Sequence, residues 1–331
     1  MEKEIIQEKS EILFLYETSY NIPNGDPFTG EQRYDEETKK ILVSDVRIKR
    51  FARTYFEDCG KLIYVSSKDG RTDAKKRLEF LVKNQECDVK KTDIGEIMKS
   101  CLDVRLFGGI STLGDDAKDI KIKVKETDAD GNSEERETIC SNGHVQFTGP
   151  VQFAFLNPSL NRVVMRMHQN TSHFSSNDKN AQGTIGTTTI VPYSVVQIHG
   201  WINPKVAIHT GMTDDDKKLL FKGLWYGTGG EGSSFSRSKI GQNSLLLLEI
   251  VYAGNSQKLY GIERLISIKP KDGKNDEQLR SMDDFDFDFS KIQDIASSDK
   301  VKEIRYYTEV KEVEDKLKES SVKVKLKKIA L

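Results

Sequence analysis

The alternation of apolar and polar positions sets out most of the elements. Residues 11–18 (EILFLYET) form a near-continuous apolar run of strand length, which predicts a strand buried on both faces near the centre of a sheet. A turn-rich loop follows, with Pro23, Asn24, Gly25, Asp26 and Pro27; Gly25 is a residue that can take positive φ. A helix is then predicted behind Ser44 as N-cap. Stepped at about 100° per residue, it gathers Ile48, Phe51, Ala52 and Tyr55 on one side. Lys49, Arg50 and Arg53 fall on the other, with Arg47 at the edge. No acid stands between Asp45 and Glu57. Such a helix suits either a row of phosphates or an ordinary solvated charged face.

Further along, residues 62–65 read as a short strand. Residues 72–101 turn helical, with Leu78, Leu81 and Val82 in one apolar set. Ile94, Ile97, Met98 and Cys101 make a second set behind Asp93 as cap. In residues 102–112 the pair Gly108 and Gly109 interrupts the pattern just after Arg105 and Phe107. That arrangement suits a nucleotide held against bare backbone, or equally a strand end with a core Phe. Residues 115–137 are polar and acidic, with Asp130-Gly131 as a hairpin turn.

Residues 143–156 alternate as a strand, and so do residues 163–168, where Arg166 and His168 share one face and Met165 and Met167 the other. A polar excursion over 175–189 is long for a connector and reads as a protruding hairpin. Strand character returns over 190–202. Thr213 caps a helix that runs to Trp225, with Asp214, Asp215 and Asp216 at its positive end. A glycine-rich loop (227–242) brings Arg237, Ser238 and Lys239 onto flexible backbone, but GxxxxGK[ST] is absent. Residues 245–253 are another very buried strand. The acidic segment 254–300 reads as peripheral, and the tail (SSVKVKLKKIAL) as an edge strand or a basic arm. Strands and helices mix without regular βα alternation. The fold class is α+β, a ferredoxin-like sheet with large insertions.

Composition adds limits. The chain has 331 residues, with 51 basic and 52 acidic side chains and a formal net charge of −1, so any basic surface is local. No apolar run approaches the roughly 20 residues needed to span a bilayer, and the start lacks a signal-peptide layout, so the expected location is cytoplasmic. Four scattered cysteines without a CxxC pair read as reduced thiols. No Cys/His cluster has metal-ligand spacing, and no cofactor is expected.

Several segments occur together and in order: NIPNGDP, ILVSDVRIKRFARTYF, DVRLFGG, GPVQFAFLNPSLNRV, HQNTSHFSSNDKNAQGTIG and SRSKIGQNSLLLLEIVY. On these the chain resembles the repeated backbone subunit of type I CRISPR surveillance complexes (Cascade), nearest the I-B form, over roughly residues 12–252. One departure is Phe155 to Pro158, where small or glycine-rich residues are expected.

The resemblance implies an RRM-like, ferredoxin-like palm (1–331) that carries helical fingers (57–101), a polar insertion (113–142), a thumb (170–190) and an acidic peripheral segment (254–300). It implies a non-catalytic subunit that binds guide RNA (crRNA) and polymerises head to tail with copies of itself. Such a subunit displays the guide for pairing with target DNA and joins other Cascade subunits and a recruited nuclease, with no membrane. Carried over, Arg47, Lys49, Arg50 and Arg53 contact phosphates, and Asn24 and Gly25 flank the guide. Arg105, Gly108 and Gly109 line the palm. Arg166, His168, Gln169, Thr171, His173 and Phe174 stand at the thumb base. Arg237, Ser238, Lys239 and Gln242 form a second phosphate loop. Phe174 or Ile185 wedges between bases. The rivals are an RNA-cleaving subunit using Asp26, a guide-processing endonuclease using His168 or His173, and a metabolic enzyme with a phosphorylated substrate.

Overall fold

The structure, a computed structural model, describes residues 4–66, 73–84, 93–112, 120–127, 133–140, 144–171, 185–229, 239–319 and 326–331. Strands β1 (Ser10–Asn21), β2 (Tyr34–Asp35) and β3 (Lys40–Ser44) lead into helix α1 (Asp45–Asp58). Helices α2 (Ala74–Asn84), α3 (Ile94–Ser100) and α4 (Leu102–Phe107) come next. They are followed by strands β4 (Gly108–Thr112), β5 (Ile120–Thr127), β6 (Ser133–Cys140), β7 (His144–Thr148), β8 (Val151–Phe153) and β9 (Leu156–Pro158). Strands β10 (Arg166–Thr171) and β11 (Ile185–Ile202) precede helices α5 (Pro204–Thr210) and α6 (Asp214–Gly229). After β12 (Gln242–Tyr252) come β13 (Ser267–Pro270), β14 (Phe285–Asp288), α7 (Ser290–Ala296), β15 (Val301–Tyr307), α8 (Lys311–Glu319) and β16 (Leu326–Lys328). The class is α+β.

The chain packs as two compact units. The larger comprises Glu8–Ala52, Phe153–Ile202 and Phe221–Leu331. Its main sheet runs β10-β11-β1-β12-β15-β16. β1 sits inside this sheet, antiparallel to both β11 and β12. The tail is an edge strand, since β16 joins β15 in parallel.

β1 is apolar on both faces because both are covered. On one face Leu13 and Leu15 join Tyr193, Val195, Leu246, Leu248 and Ile250, and residues from Ile262 to Ala296 close over them. Residues 254–300 are therefore part of the core and not peripheral. Their acids mislead: in DDFDFDF the rings of Phe285 and Phe289 point in, while Asp288 turns out to Lys269 at 2.7 Å. On the other face lie Ile12, Phe14 and Tyr16, all fully buried. Tyr307 lies opposite Leu247 on that side, and Trp225 meets the Tyr307 ring edge-on at 4.8 Å, so the end of α6 covers it. α1 buries Ile48, Phe51 and Ala52, as expected from their spacing.

The smaller unit comprises residues through Gln7, Arg53–Gln152 and Asn203–Leu220. Tyr64, Leu78, Leu81, Ile94, Ile97, Met98, Cys101 and Val104 form its core. Asp93 caps α3 by accepting from the Gly95 amide at 2.7 Å. Residues 62–65 are not a strand. The Asp103 carboxylate accepts from the amides of Tyr64 (2.7 Å) and Val65 (3.0 Å), which satisfies them without a ladder. β5 and β6 pair from Ile120 with Cys140 to Thr127 with Ser133 and bracket the expected turn, which lies outside the described residues. No helix among the described residues is long and apolar enough to cross a membrane.

Candidate nucleic-acid interface

The predicted cationic strip on α1 divides into four different environments. Arg50 is exposed. Lys49 reaches back one turn to Asp45 at 2.9 Å. Arg53 does not point away from the core: its Nε donates to the fully buried Asp103 at 2.9 Å. Asp103 comes from α4, 50 residues on, and already holds two backbone amides, so Arg53 completes a structural clamp. Arg47 is different again. Its guanidinium lies 3.9 Å from the centroid of the Phe51 ring, and its Nε and Nη2 are buried with no hydrogen-bond partner among the described residues.

Burial, with the charge of Arg50 added, pushes the Arg47 guanidinium down to about 10. Its charge is felt at the buried Tyr16 hydroxyl, which burial drives far up and which also has no partner among the described residues. It is felt at Lys239 too. Burial first, and Arg47 second, push that ammonium down to about 7. Lys239 donates to the carbonyl of Ile22, at the far end of β1. No carboxylate forms an ion pair with Arg47 or Lys239 among the described residues. The two cations therefore stand together without a counter-charge among the described residues.

The loop after β1 is fixed to the start of α1. Asn24 is buried, and its Oδ1 accepts from the Ser44 amide at 2.7 Å and the Ser44 hydroxyl at 2.8 Å. Ser44 spends its hydroxyl on Asn24. Asn24 is thus a fastening between the loop and the start of α1. Gly25 pairs with Gln32 and does not take positive φ; Gly30 does, at 72°. Asp26 accepts from the amides of Phe28 (2.9 Å) and Thr29 (3.4 Å) and pairs with Arg33 at 3.1 Å. Its carboxylate is committed to the turn. Among the described residues no group of three or more His, Cys, Asp or Glu could hold a metal ion.

Arg105, Gly108 and Gly109 belong to the smaller unit and are spent internally. Arg105 makes a two-pronged pair with Asp216, at 2.9 and 2.8 Å, and donates to the carbonyls of Lys99 and Ser100. Gly108 caps α4 at φ 78°, and a Cβ there would lie 2.2 Å from the Phe147 oxygen. At Gly109 it would lie 3.3 Å from Met98 and Val104. The bareness of this pair serves chain-to-chain packing.

On β10, Arg166, His168 and Gln169 are all exposed, and the strand pairs with β11 from Arg166 with Ile190 to Thr171 with Ile185. Met167 is exposed as well. Gln242 opens β12 opposite Thr18; its Nε2 donates to the Lys239 carbonyl at 3.2 Å. The side chain of Thr171, together with His173, Phe174, Arg237 and Ser238, lies outside the described residues, as does most of the polar excursion. Near the departure from the family pattern, Phe155 is 78% exposed; its carbonyl accepts from the Asp45 amide at 3.3 Å. Tyr16 was not anticipated as a site residue, since an apolar run hides a hydroxyl.

A protein-family model described as CRISPR-associated protein Cas7 matches residues 8–290. A curated relative, CRISPR-associated protein Cas7 of Haloferax volcanii, is 28% identical over 294 residues, which is 86% of this chain and 81% of its own. A chain of a solved CRISPR RNA-guided surveillance complex aligns over 91% of this chain and 89% of its own, at 12% identity and TM-score 0.46. One from a pre-nicking surveillance complex covers 77% and 83%, at 12% identity and TM-score 0.42. Backbone likeness of that degree locates no residue.

Proposed function

The chain belongs to the CRISPR-associated protein Cas7 family, and from that membership we propose that it is the non-catalytic guide-RNA-binding backbone subunit of a type I surveillance complex. Copies of it line up head to tail along one guide and leave the bases free to pair with target DNA. Other subunits of the complex and a recruited nuclease complete the assembly. The protein holds the strand by its phosphates and delegates sequence to base pairing.

The observation that carries this reading is that Arg47 Nε and Nη2, beside Lys239 at the end of the central strand, have no partner among the described residues. A phosphate would accept from Arg47 and restore the charge of Lys239. Arg50, exposed one turn along, meets the next phosphate. The strand order β10-β11-β1-β12, with helices between β1 and β10 and between β11 and β12, supports an RRM-like palm of ferredoxin-like topology. The β10–β11 hairpin is the stem of the thumb (170–190), with Arg166, His168 and Gln169 near its base. Helices α2 and α3 belong to the fingers (57–101). Asp26 is left as a turn residue.

The test is to purify the protein from its host and sequence the RNA that comes with it. Guide RNA should co-purify with the native chain and be depleted in Arg47→Ala with Lys239→Ala. Precursor and target RNA should stay intact with Mg²⁺. Recovery of guide by the double variant at the native level defeats the assignment of this site.

A further inference from the structure

At the opposite end of β1, and on its opposite face, rings and cations alternate in a row. Lys9 Nζ lies 5.1 Å from the Tyr252 ring centroid and 5.2 Å from that of Trp201. Lys258 Nζ lies 5.6 Å from Trp201 and 5.5 Å from Tyr260. The order is therefore Tyr252, Lys9, Trp201, Lys258, Tyr260, from a buried ring to one that is 85% exposed.

The row is held from beneath. Buried Glu11 accepts from the Tyr252 hydroxyl at 2.6 Å, and its other oxygen meets His199 at 2.7 Å. The Leu259 amide donates to the Tyr252 oxygen at 3.2 Å, and Lys9 donates to the Gln257 carbonyl. Both Glu11 oxygens are thus engaged. The outer cation, Lys258, is exposed.

We propose that this row is a second contact for single-stranded nucleic acid, separate from the guide. A single strand presents alternating flat bases and anionic phosphates, which match rings and ammonium groups in turn. An acidic peptide would use the lysines but leave the exposed Tyr260 ring without a role. The position is independent of the Arg47 pocket. Glu11 and Thr18 are seven residues apart, roughly 24 Å at the ~3.4 Å rise of a strand. Odd-numbered Glu11 and even-numbered Tyr16 also face opposite ways.

Trp201 reports on its own occupancy, because the other tryptophan, Trp225, is buried in the core. In full-length Trp225→Phe protein carrying Arg50→Glu to weaken the guide site, oligo-dT and oligo-U of about 15 nucleotides should quench Trp201 fluorescence. Adding Lys258→Glu with Tyr260→Ala should weaken that binding about tenfold or more. Anisotropy of fluorescein-labelled oligonucleotides on Arg50→Glu protein, with and without the Lys258 and Tyr260 changes, gives the same comparison with Trp225 intact. Oligo-dT alone acting would identify DNA as the strand; oligo-U alone would identify RNA; either supports the contact. Binding that the Lys258 and Tyr260 changes leave untouched, no binding at all, or equal quenching by poly-glutamate overturns it.

Discussion

Arg50 and Arg53 stand about one turn apart on α1, yet they answer to different partners. Arg50→Glu should cut guide-RNA affinity and leave thermal unfolding and circular dichroism native, because its side chain is exposed. Arg53→Glu leaves the buried Asp103 facing a like charge and should lower unfolding free energy by about 2–3 kcal/mol in a denaturant titration. A native denaturation midpoint for Arg53→Glu would reject the clamp. Lys239 adds a pH signature. Its folded value of about 7 lies below its ordinary 10.5, so the RNA-free protein gains stability as pH rises from about 7 towards 10 and loses it on the way back down. A bound phosphate favours the charged amine, so binding takes up a proton. Guide-RNA affinity should fall as pH rises through 7, by at most about tenfold per unit for one linked proton. Lys239→Met should flatten that slope in anisotropy titrations; an unchanged slope removes Lys239 from the site.

At the scale of elements, α1 shows what a helical wheel can and cannot say. Its spacing named the face that packs, since Ile48, Phe51 and Ala52 are fully buried. It could not name Asp103, 50 residues away, or Asp216, 111 residues from Arg105; those acids are brought in by folding and give Arg53 and Arg105 partners within the chain. Asn24 was hidden for the same reason, since its partner Ser44 is 20 residues on. Gly108 and Gly109 were legible as special, but not why. Gly108→Ala places a methyl group against the Phe147 carbonyl at positive φ and should cost about 2–3 kcal/mol of stability, measured by chemical denaturation. The polar excursion calls for a different test. Replacing residues 176–187 by a short Gly-Ser link should leave the isolated chain folded but disorder its assembly on guide RNA. Filaments of native length and regularity by electron microscopy would deny the excursion its bridging part.

For the molecule as a whole, the strand-rich α+β class and the central position of β1 were readable from apolar runs alone. The division into two compact units was not, because segments distant in sequence make up each. Nor was the embedding of residues 254–300, whose abundant acids mask a period-two pattern of buried Phe. Electrostatics at this scale follow from the revised set of cations. If Arg47, Arg50, Arg166 and Lys239 each neutralise one phosphate, affinity should fall with salt at a log–log slope of about −3 per subunit, using ~0.7 per phosphate for single strands. A flat salt profile would mean that the strand is not held by its charge.

β1 has one further consequence. Tyr16 and Glu11 face opposite ways on it, and both depend on strict alternation across partners on either side. Adding or deleting one residue between them would invert one end relative to the other. Among homologues, length changes within this strand should therefore come in even steps or be absorbed by an irregularity like the register shift already present between Leu15 and Tyr16.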